Sequence, residues 1–176
     1  MLISSFSPER TRKANELLQD EGISLTIHQP SYSMLNRHIE TGLLDTLGEL
    51  GIGCIGFSAL AQGLLTDKYL GRATQNEKSL RDTFKKEFLS EENLKNVGGL
   101  NQIAKRRGQS LAQMAIAWVL RDSRVTSALI GARTVEQLDD SLDALKNLYF
   151  TAGELSEIDQ FAKEGGVDLW RETSEL

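Results

Sequence analysis

Short apolar stretches alternate with longer segments of helical periodicity along most of this chain. Four of these stretches predict strands, because each is short, apolar and flanked by Gly, Pro or Ser. They cover residues 2–5, 23–28, 53–57 and 125–131. Strands that alternate with helices are typical of parallel sheets joined by crossover helices. The predicted fold class is therefore α/β.

Capping residues mark the helix starts between and after these strands. Ser or Thr stands before five helical patterns, where its side chain can accept a hydrogen bond from a free backbone N–H. These N-caps are Ser7, Ser90, Ser110, Thr134 and Thr151. The segments 110–113, 134–137 and 151–154 also fit the capping box. Glycines predict the ends, at Gly22, Gly51, Gly108 and, for the last helix, Gly165–Gly166.

Apolar spacing predicts which helix faces turn inward. The first helix should bury Ala14, Leu17 and Leu18, and the helix that follows Ser110 carries a stripe ending at Trp118. The helix that follows Thr134 places three leucines on one side, namely Leu138, Leu142 and Leu145. The segment 60–89 is polar, weakly periodic and too long for an ordinary connector, so it is either a functional flap or partly disordered.

Composition excludes several classes of function. The net charge of −5 and the absence of a long basic run argue against nucleic acid as a partner. No apolar segment is long enough to span a bilayer. The single cysteine, Cys54, lies in an apolar strand and fits a buried, inert thiol. We therefore expect a cytoplasmic protein without disulfides that binds neither nucleic acid nor membrane.

Candidate chemistry lies where strands end and helices begin. Gly131, Arg133 and the cap at Thr134 suit a phosphate, because glycine permits close approach and the helix start favours an anion. An ordinary turn with a solvated Arg133 explains these three residues equally well. His28 and Tyr32 follow the second strand but have no neighbouring metal ligands or lysine in sequence, so packing or cofactor-shell roles are favoured over catalysis.

Five stretches taken together resemble the aldo-keto reductases, most closely the subgroup with L-glyceraldehyde 3-phosphate reductase and the potassium-channel β subunits. They are ISSFSPE at 3–9, QPSYS at 29–33, FSALAQGLLT at 57–66, QMAIAW at 113–118 and LIGA at 129–132. The resemblance implies the C-terminal half, strands five to eight, of a (β/α)8 TIM barrel plus a C-terminal helix. It also implies one partial domain over residues 1–176.

The same resemblance implies a site for NADP. Ser4, Ser5 and Gln29 would bind the nicotinamide carboxamide, and Phe57 would lie against its ring. Residues of the loop after the third strand would lie along the pyrophosphate: Ser58, Leu60, Ala61, Gly63 and Lys68. The adenosine end would meet Gly131, Arg133, Gln137, Asp140 and Ser141. The chain departs from the family pattern at Asp140 and Ser141, where Glu-Asn is common, and at Ala59, where proline is common.

In this family the catalytic Asp, Tyr, Lys and His come from the first four strands, which the resemblance places before this chain. The expected function is the C-terminal part of an NADP-dependent reductase of small aldehydes or ketones, inactive alone. We expect self-association or an N-terminal half-barrel partner, and a small carbonyl substrate once the barrel is complete. The alternatives are a standalone nucleotide- or phosphate-binding α/β module without catalysis, and a truncated gene product without function.

Overall fold

A computed structural model describes residues 1–70 and 86–170 of the chain. Its four strands form one parallel sheet in which spatial order follows chain order. They are β1 Leu2–Ser4, β2 Ile27–Gln29, β3 Gly53–Gly56 and β4 Val125–Ala128. The prediction of four parallel strands in sequence order is therefore confirmed, as is the α/β class.

Within the described residues, six α-helices lie between and after these strands. They are α1 Pro8–Asp20, α2 Leu43–Leu50, α3 Glu91–Arg106, α4 Leu111–Val119, α5 Val135–Asp143 and α6 Ala152–Ile158. All five predicted N-caps accept a backbone hydrogen bond, and the capping boxes at Ser110 and Thr151 are complete. The box predicted at Thr134 is wrong in one half, because Gln137 Oε1 accepts from the Arg133 N–H instead of the Thr134 N–H.

Three predicted elements extend farther than the observed ones. β4 ends at Ala128 and not at residue 131. β2 starts at Ile27 and not at residue 23, because the Ile23 N–H bonds back to the Leu18 carbonyl at 2.8 Å and completes the end of α1. α6 ends at Ile158, well before the predicted stop at Gly165. There the chain is held in a non-helical path, since the Gly165 N–H donates to the Leu35 carbonyl at 2.9 Å.

The helices cover one face of the sheet. His28, Cys54 and Val125 lie in register on adjacent strands and are buried on that face. Alternation along the strands turns Ile27 to the opposite face, where it is only half-buried. Burial raises the pKa of the Cys54 thiol to about 12, which agrees with the expected inert thiol.

The inward face predicted for α1 is partly wrong. Leu17 is 55% exposed, while Thr11 and Asn15 are buried and Ala14 and Leu18 are half-buried. The buried side follows positions 11, 15 and 18, a helical spacing that leaves residue 17 on the outer flank. The prediction placed Leu17 on the buried side because leucine is usually buried, but the buried side of α1 lies one position away from it.

The long segment 60–89 is described only in part. Short 3-10 turns occur at Ala61–Gly63, Asp67–Tyr69 and Lys86–Leu89. The prediction of a flap or disorder covers residues 60–89, of which 71–85 lie outside the described residues. The same holds for the end of the predicted polar tail, residues 171–176.

Two adjacent glycines in α3 provide a matched pair for a stability test. A Cβ at Gly99 would lie 2.5 Å from Cδ1 and Cε1 of the Phe161 ring, whereas a Cβ at Gly98 would meet no described atom within 4 Å. We expect Gly99→Ala to lower the free energy of unfolding by about 1–3 kcal/mol through overpacking. Gly98→Ala should raise it by about 0.5–1 kcal/mol through helix propensity. Urea unfolding of both variants measures this, and equal midpoints would contradict the role of Gly99.

Candidate functional site

The carboxyl ends of β1, β2 and β3 bring together three of the predicted site residues. The Ser4 hydroxyl donates to the Gln29 carbonyl at 2.6 Å, across the β1–β2 pair. The Phe57 N–H donates to the Pro30 carbonyl at 3.0 Å, so the residue after β3 stays beside the loop after β2. Ser4, Gln29 and Phe57 therefore share one end of the sheet, where ligands of parallel α/β folds bind.

Strained backbone is concentrated at this end. Among the described residues, the non-glycine positions with positive φ are Ser5, Ser58, Ala61 and Gln62, at 46° to 58°. Such conformations are uncommon outside glycine and cost on the order of 1–3 kcal/mol each, and they cluster at functional sites. All four follow β1 or β3 directly or within a few residues, in segments that contain predicted cofactor contacts.

The loop after β3 is held in shape by its own backbone. The Ala61 N–H donates to the Ser58 carbonyl and the Gly63 N–H to the Leu60 carbonyl, both at 2.8 Å. Gly63 has φ +96°, and a Cβ there would meet no described atom within 4 Å. This open space suits the close approach of a phosphate to the backbone. Farther on, the Lys68 ammonium is exposed and lies 5.1 Å from the centroid of the Tyr69 ring.

The turn after β4 also leaves room for a ligand. Gly131 and Arg133 are exposed, and a Cβ at Gly131 would meet no described atom within 4 Å. The Gln137 side chain accepts from the Arg133 N–H at 2.9 Å and so fixes the turn in front of α5. An exposed guanidinium beside a helix start is a suitable group for an anion. This geometry fits both interpretations of the turn, a phosphate site and an ordinary turn with a solvated Arg133.

Asp140 and Ser141 make contacts inside the chain. Asp140 accepts hydrogen bonds from Gln113 Nε2 at 2.7 Å and from the Ser110 hydroxyl at 3.3 Å, which ties α5 to the start of α4. The Ser141 hydroxyl is nearly buried and donates to the Gln137 carbonyl at 2.9 Å. Both side chains therefore have a structural role, and their contact with adenine stays a prediction.

His28 in β2 and Tyr32 in the loop after it are both titratable and fully buried. Burial lowers the pKa of His28 to about 4. Its Nε2 accepts from the Phe6 N–H at 3.3 Å, which requires that nitrogen to be unprotonated. Burial also raises the pKa of Tyr32, whose hydroxyl donates to Glu40 at 2.6 Å and accepts from Arg121 at 2.8 Å. At neutral pH the imidazole is thus uncharged and the phenol protonated, each held by neighbours.

A charged cluster surrounds Tyr32. Glu40 accepts from Tyr32, Arg37 and Arg121, and these hydrogen bonds lower the pKa of its carboxyl although burial by itself would raise it. The Arg121 guanidinium lies 3.6 Å from the centroid of the buried Trp118 ring. Because every member is partnered, this cluster joins helices and loops around a packed tyrosine, as the packing interpretation of Tyr32 anticipated.

Trp170 is a neighbour of the candidate site that no sequence pattern predicts. Trp170 contacts Phe57 edge to face, with ring centroids 4.8 Å apart. Asp168 holds this segment in place, because it accepts from the Trp170 N–H at 2.9 Å and lies 3.4 Å from His38 Nδ1. The sequence placed Trp170 only in a polar tail, since a contact across more than one hundred positions leaves no local pattern.

The described parts of the chain hold neither a metal-binding cluster nor a helix that could span a membrane. Residues 1–70 and 86–170 contain no group of three or more His, Cys, Asp or Glu side chains that could hold a metal ion. The helices of these segments are all too short or too polar to cross a membrane.

Comparison with known proteins gives a consistent assignment. The model of the Aldo/keto reductase family matches residues 3–163. L-glyceraldehyde 3-phosphate reductase of Escherichia coli (strain K12) is 50% identical over 98% of this chain and 52% of its own length. Protein tas of the same organism is 37% identical over 77% of this chain and 39% of its own. A probable voltage-gated potassium channel subunit beta of Oryza sativa subsp. japonica is 34% identical over 68% and 38%.

The chain therefore spans about half the length of the first of these relatives, and less of the other two. The matches agree with the resemblance read from the five sequence stretches, including its subgroup. A four-stranded parallel sheet is consistent with part of a (β/α)8 barrel.

Proposed function

Because this chain belongs to the aldo/keto reductase family, we propose that it forms the C-terminal, cofactor-binding part of an NADP-dependent reductase of small aldehydes or ketones. The observation that carries the proposal is the strained backbone after β1 and β3, next to Ser4, Gln29 and Phe57. A bound NADPH would supply the hydride. The chain's own residues would bind and orient this cofactor.

The described geometry supports each part of the proposed cofactor site. Ser4 and Gln29 lie at the same end of the sheet as Phe57, where the Ser4 hydroxyl donates to the Gln29 carbonyl. The loop at 58–63 offers a preformed backbone with open space at Gly63 for a pyrophosphate. Arg133 offers a cation at the start of α5 for a 2'-phosphate. The name of the E. coli relative points to a phosphorylated three-carbon aldehyde as the substrate to try first.

Binding of the cofactor tests this proposal directly. By titration calorimetry we expect the chain to bind NADPH more tightly than NADH. Only NADPH carries a 2'-phosphate, to which Arg133 can make charge-assisted hydrogen bonds. Arg133→Ala should reduce that preference by roughly tenfold or more, the worth of one hydrogen bond to a charged group.

Lys146→Ala is the matched control, since it removes one exposed cation just beyond the other end of α5, where Lys146 pairs with Asp143. This variant should keep the preference for NADPH. Equal affinity of the unchanged chain for NADPH and NADH would refute the placement of the 2'-phosphate. No measurable binding of either would refute the proposed cofactor site.

A nucleotide- or phosphate-binding module without catalysis is the second candidate. The burial of His28 and Tyr32 fits both candidates, because neither side chain is available to protonate a carbonyl oxygen and the first candidate takes its proton donor from the part of a reductase that the chain does not match. The two candidates agree on cofactor binding and differ on turnover once the remaining part of a reductase is supplied. The activity measurement described in the Discussion separates them.

A further inference from the structure

We propose that His28 is a positioning residue for the nicotinamide end of the cofactor site, because its imidazole holds the bend at Ser5 through the Phe6 backbone. The inference rests on the proposed function and extends it to a side chain on the opposite face of the sheet from Gln29. Three features carry it: the attachment of the bend to β2, the cost of an imidazole at this position, and the direction of the two neighbouring side chains of β2.

The bend that follows β1 is attached to β2 on both of its sides. Before the bend, the Ser4 hydroxyl donates to the Gln29 carbonyl at 2.6 Å. After the bend, the Phe6 N–H donates to His28 Nε2 at 3.3 Å. Ser5 lies between these two contacts and has φ +54°, a conformation that a non-glycine residue keeps only where its surroundings enforce it. Two consecutive residues of β2 therefore hold the strained residue in place.

One of these two attachments depends on which amino acid stands at position 28. Gln29 accepts through its backbone carbonyl, which any residue would provide. The Phe6 N–H instead needs an acceptor near the tip of the side chain at position 28. Burial lowers the pKa of His28 to about 4, so at neutral pH the ring is uncharged and can offer an unprotonated Nε2. The shape of the bend is thus linked to the histidine.

The contacts of Phe6 with α1 leave its N–H to His28. The Arg10 guanidinium lies 4.5 Å from the centroid of the Phe6 ring, and the Ser7 hydroxyl caps the helix by accepting from the Arg10 N–H at 3.2 Å. These contacts hold the ring and the start of the helix. Loss of the imidazole acceptor should therefore release the bend at Ser5 without unfolding α1.

An imidazole is a costly side chain at this buried position. Donation by the Phe6 N–H requires an unprotonated Nε2, so the proton of the neutral His28 ring lies on Nδ1. Within the described residues this Nδ1 has no hydrogen-bond partner, and the side chain is fully buried. A buried donor without a partner lowers stability, so packing alone would favour an apolar residue here. The acceptor at Nε2 is the property that explains a histidine.

The two neighbouring side chains of β2 point to opposite faces of the sheet. His28 lies on the face that the helices cover, in register with Cys54, and alternation turns Gln29 to the other face. The hydroxyl oxygens of Ser4 and Ser5 lie 3.4 Å apart, so the bend sets the position of both. His28 can therefore fix the bend from the helix layer, while these hydroxyls and Gln29 remain the groups proposed to meet the nicotinamide carboxamide.

Titration calorimetry of the full chain with two nucleotides tests the proposal. NADPH reaches both ends of the proposed site, whereas adenosine 2',5'-bisphosphate lacks the nicotinamide. His28→Leu keeps an apolar side chain but has no acceptor. In this variant the Kd for NADPH should rise by about tenfold, because only a fraction of the molecules keeps the bend that binds. The Kd for adenosine 2',5'-bisphosphate should not change.

Two further variants separate positioning from packing. His28→Gln should keep the affinity of the unchanged chain for NADPH, since its amide oxygen can accept from the Phe6 N–H. Cys54→Ala is the matched control, because it truncates the buried neighbour of His28 on the same face of the sheet, and it should alter neither Kd. Hydrogen exchange gives a readout without any nucleotide: the Phe6 amide should exchange faster in His28→Leu than in His28→Gln or the unchanged chain.

Three outcomes would overturn the proposal and leave the proposed function standing. The first is His28→Leu that binds NADPH as tightly as the unchanged chain, or that loses affinity for both nucleotides equally. The second is His28→Gln that loses affinity for NADPH. The third is a Phe6 amide that exchanges at the same rate in all three proteins. Failure of the unchanged chain to bind either nucleotide would refute the proposed function, and the role of His28 with it.

Discussion

The isolated chain is expected to reduce glyceraldehyde with NADPH at a rate at least about 100-fold below that of full-length L-glyceraldehyde 3-phosphate reductase of E. coli. Hydride delivery leaves negative charge on the carbonyl oxygen, and general acid catalysis of its neutralisation typically contributes about 100-fold to 10,000-fold. A positioned proton donor is therefore needed in addition to a bound cofactor.

The described residues explain why β2 and its loop do not supply that donor. His28 is neutral at the pH of assay, because burial lowers its pKa to about 4. Tyr32 is fully buried, with its proton directed at Glu40. The orientation of substrate against cofactor, which is worth on the order of several kcal/mol, also requires walls that an open sheet lacks.

Absorbance of NADPH at saturating cofactor measures this prediction. Tyr32→Phe should leave the residual rate of the isolated chain unchanged, as expected for a packed phenol. Adding the part of the E. coli relative that the chain does not match should raise the rate if the chain is the C-terminal part of a reductase. Turnover of the isolated chain within tenfold of the full-length enzyme would refute the prediction, and no gain on complementation would favour the binding module.

Acid is expected to destabilise the fold through His28, by roughly 3 kcal/mol between pH 6.5 and pH 4. The imidazole is fully buried, and burial lowers its pKa from 6.5 to about 4. The unfolded chain therefore takes up the proton first as the pH falls. The contribution of the neutral His28 side chain to the free energy of unfolding is complete above pH 6.5. It is lost progressively down to pH 4, at about 1.4 kcal/mol per pH unit.

Urea unfolding at pH 7.5 and pH 4.5 measures this loss. In His28→Gln the amide oxygen can still accept from the Phe6 N–H, but the side chain does not titrate, so the loss between the two pH values should shrink by most of that amount. The carboxyl of Glu40, whose pKa is lowered, loses its contribution only at lower pH and equally in both proteins. An identical loss in the unchanged chain and in His28→Gln would contradict the argument.

Local chemistry made the helix starts and the parallel order of the strands predictable. Ser90 and Ser110 act through hydrogen bonds to residues three positions on, which the sequence displays directly. The order of the strands followed from their alternation with helices, because crossover connections favour parallel neighbours. Four of the five stretches that carry the family resemblance lie at the ends of these strands, and the fifth, 113–118, lies in α4.

Burial and long-range contacts were less predictable, for physical reasons. Leu17 and Leu138 look like core residues, yet whether a leucine is buried depends on what lies opposite, which the helix itself does not encode. The sequence of α3 does not explain a glycine at position 99, whereas the Phe161 ring that packs against it does. Asp140 is expected to contact the cofactor by analogy, and no local pattern predicts the hydrogen bond that its carboxylate accepts from Gln113.

The edge-to-face contact of Trp170 with Phe57 makes Trp170 an intrinsic fluorescence probe of this end of the sheet. The chain has two tryptophans, and the other, Trp118, is fully buried beneath Arg121. Indole emission responds to the polarity and motion of its surroundings, so displacement of the Phe57 ring would alter the light emitted by Trp170. The emission of Trp118 would stay constant and serve as an internal reference. Events at this end of the sheet can thus be followed without any added dye.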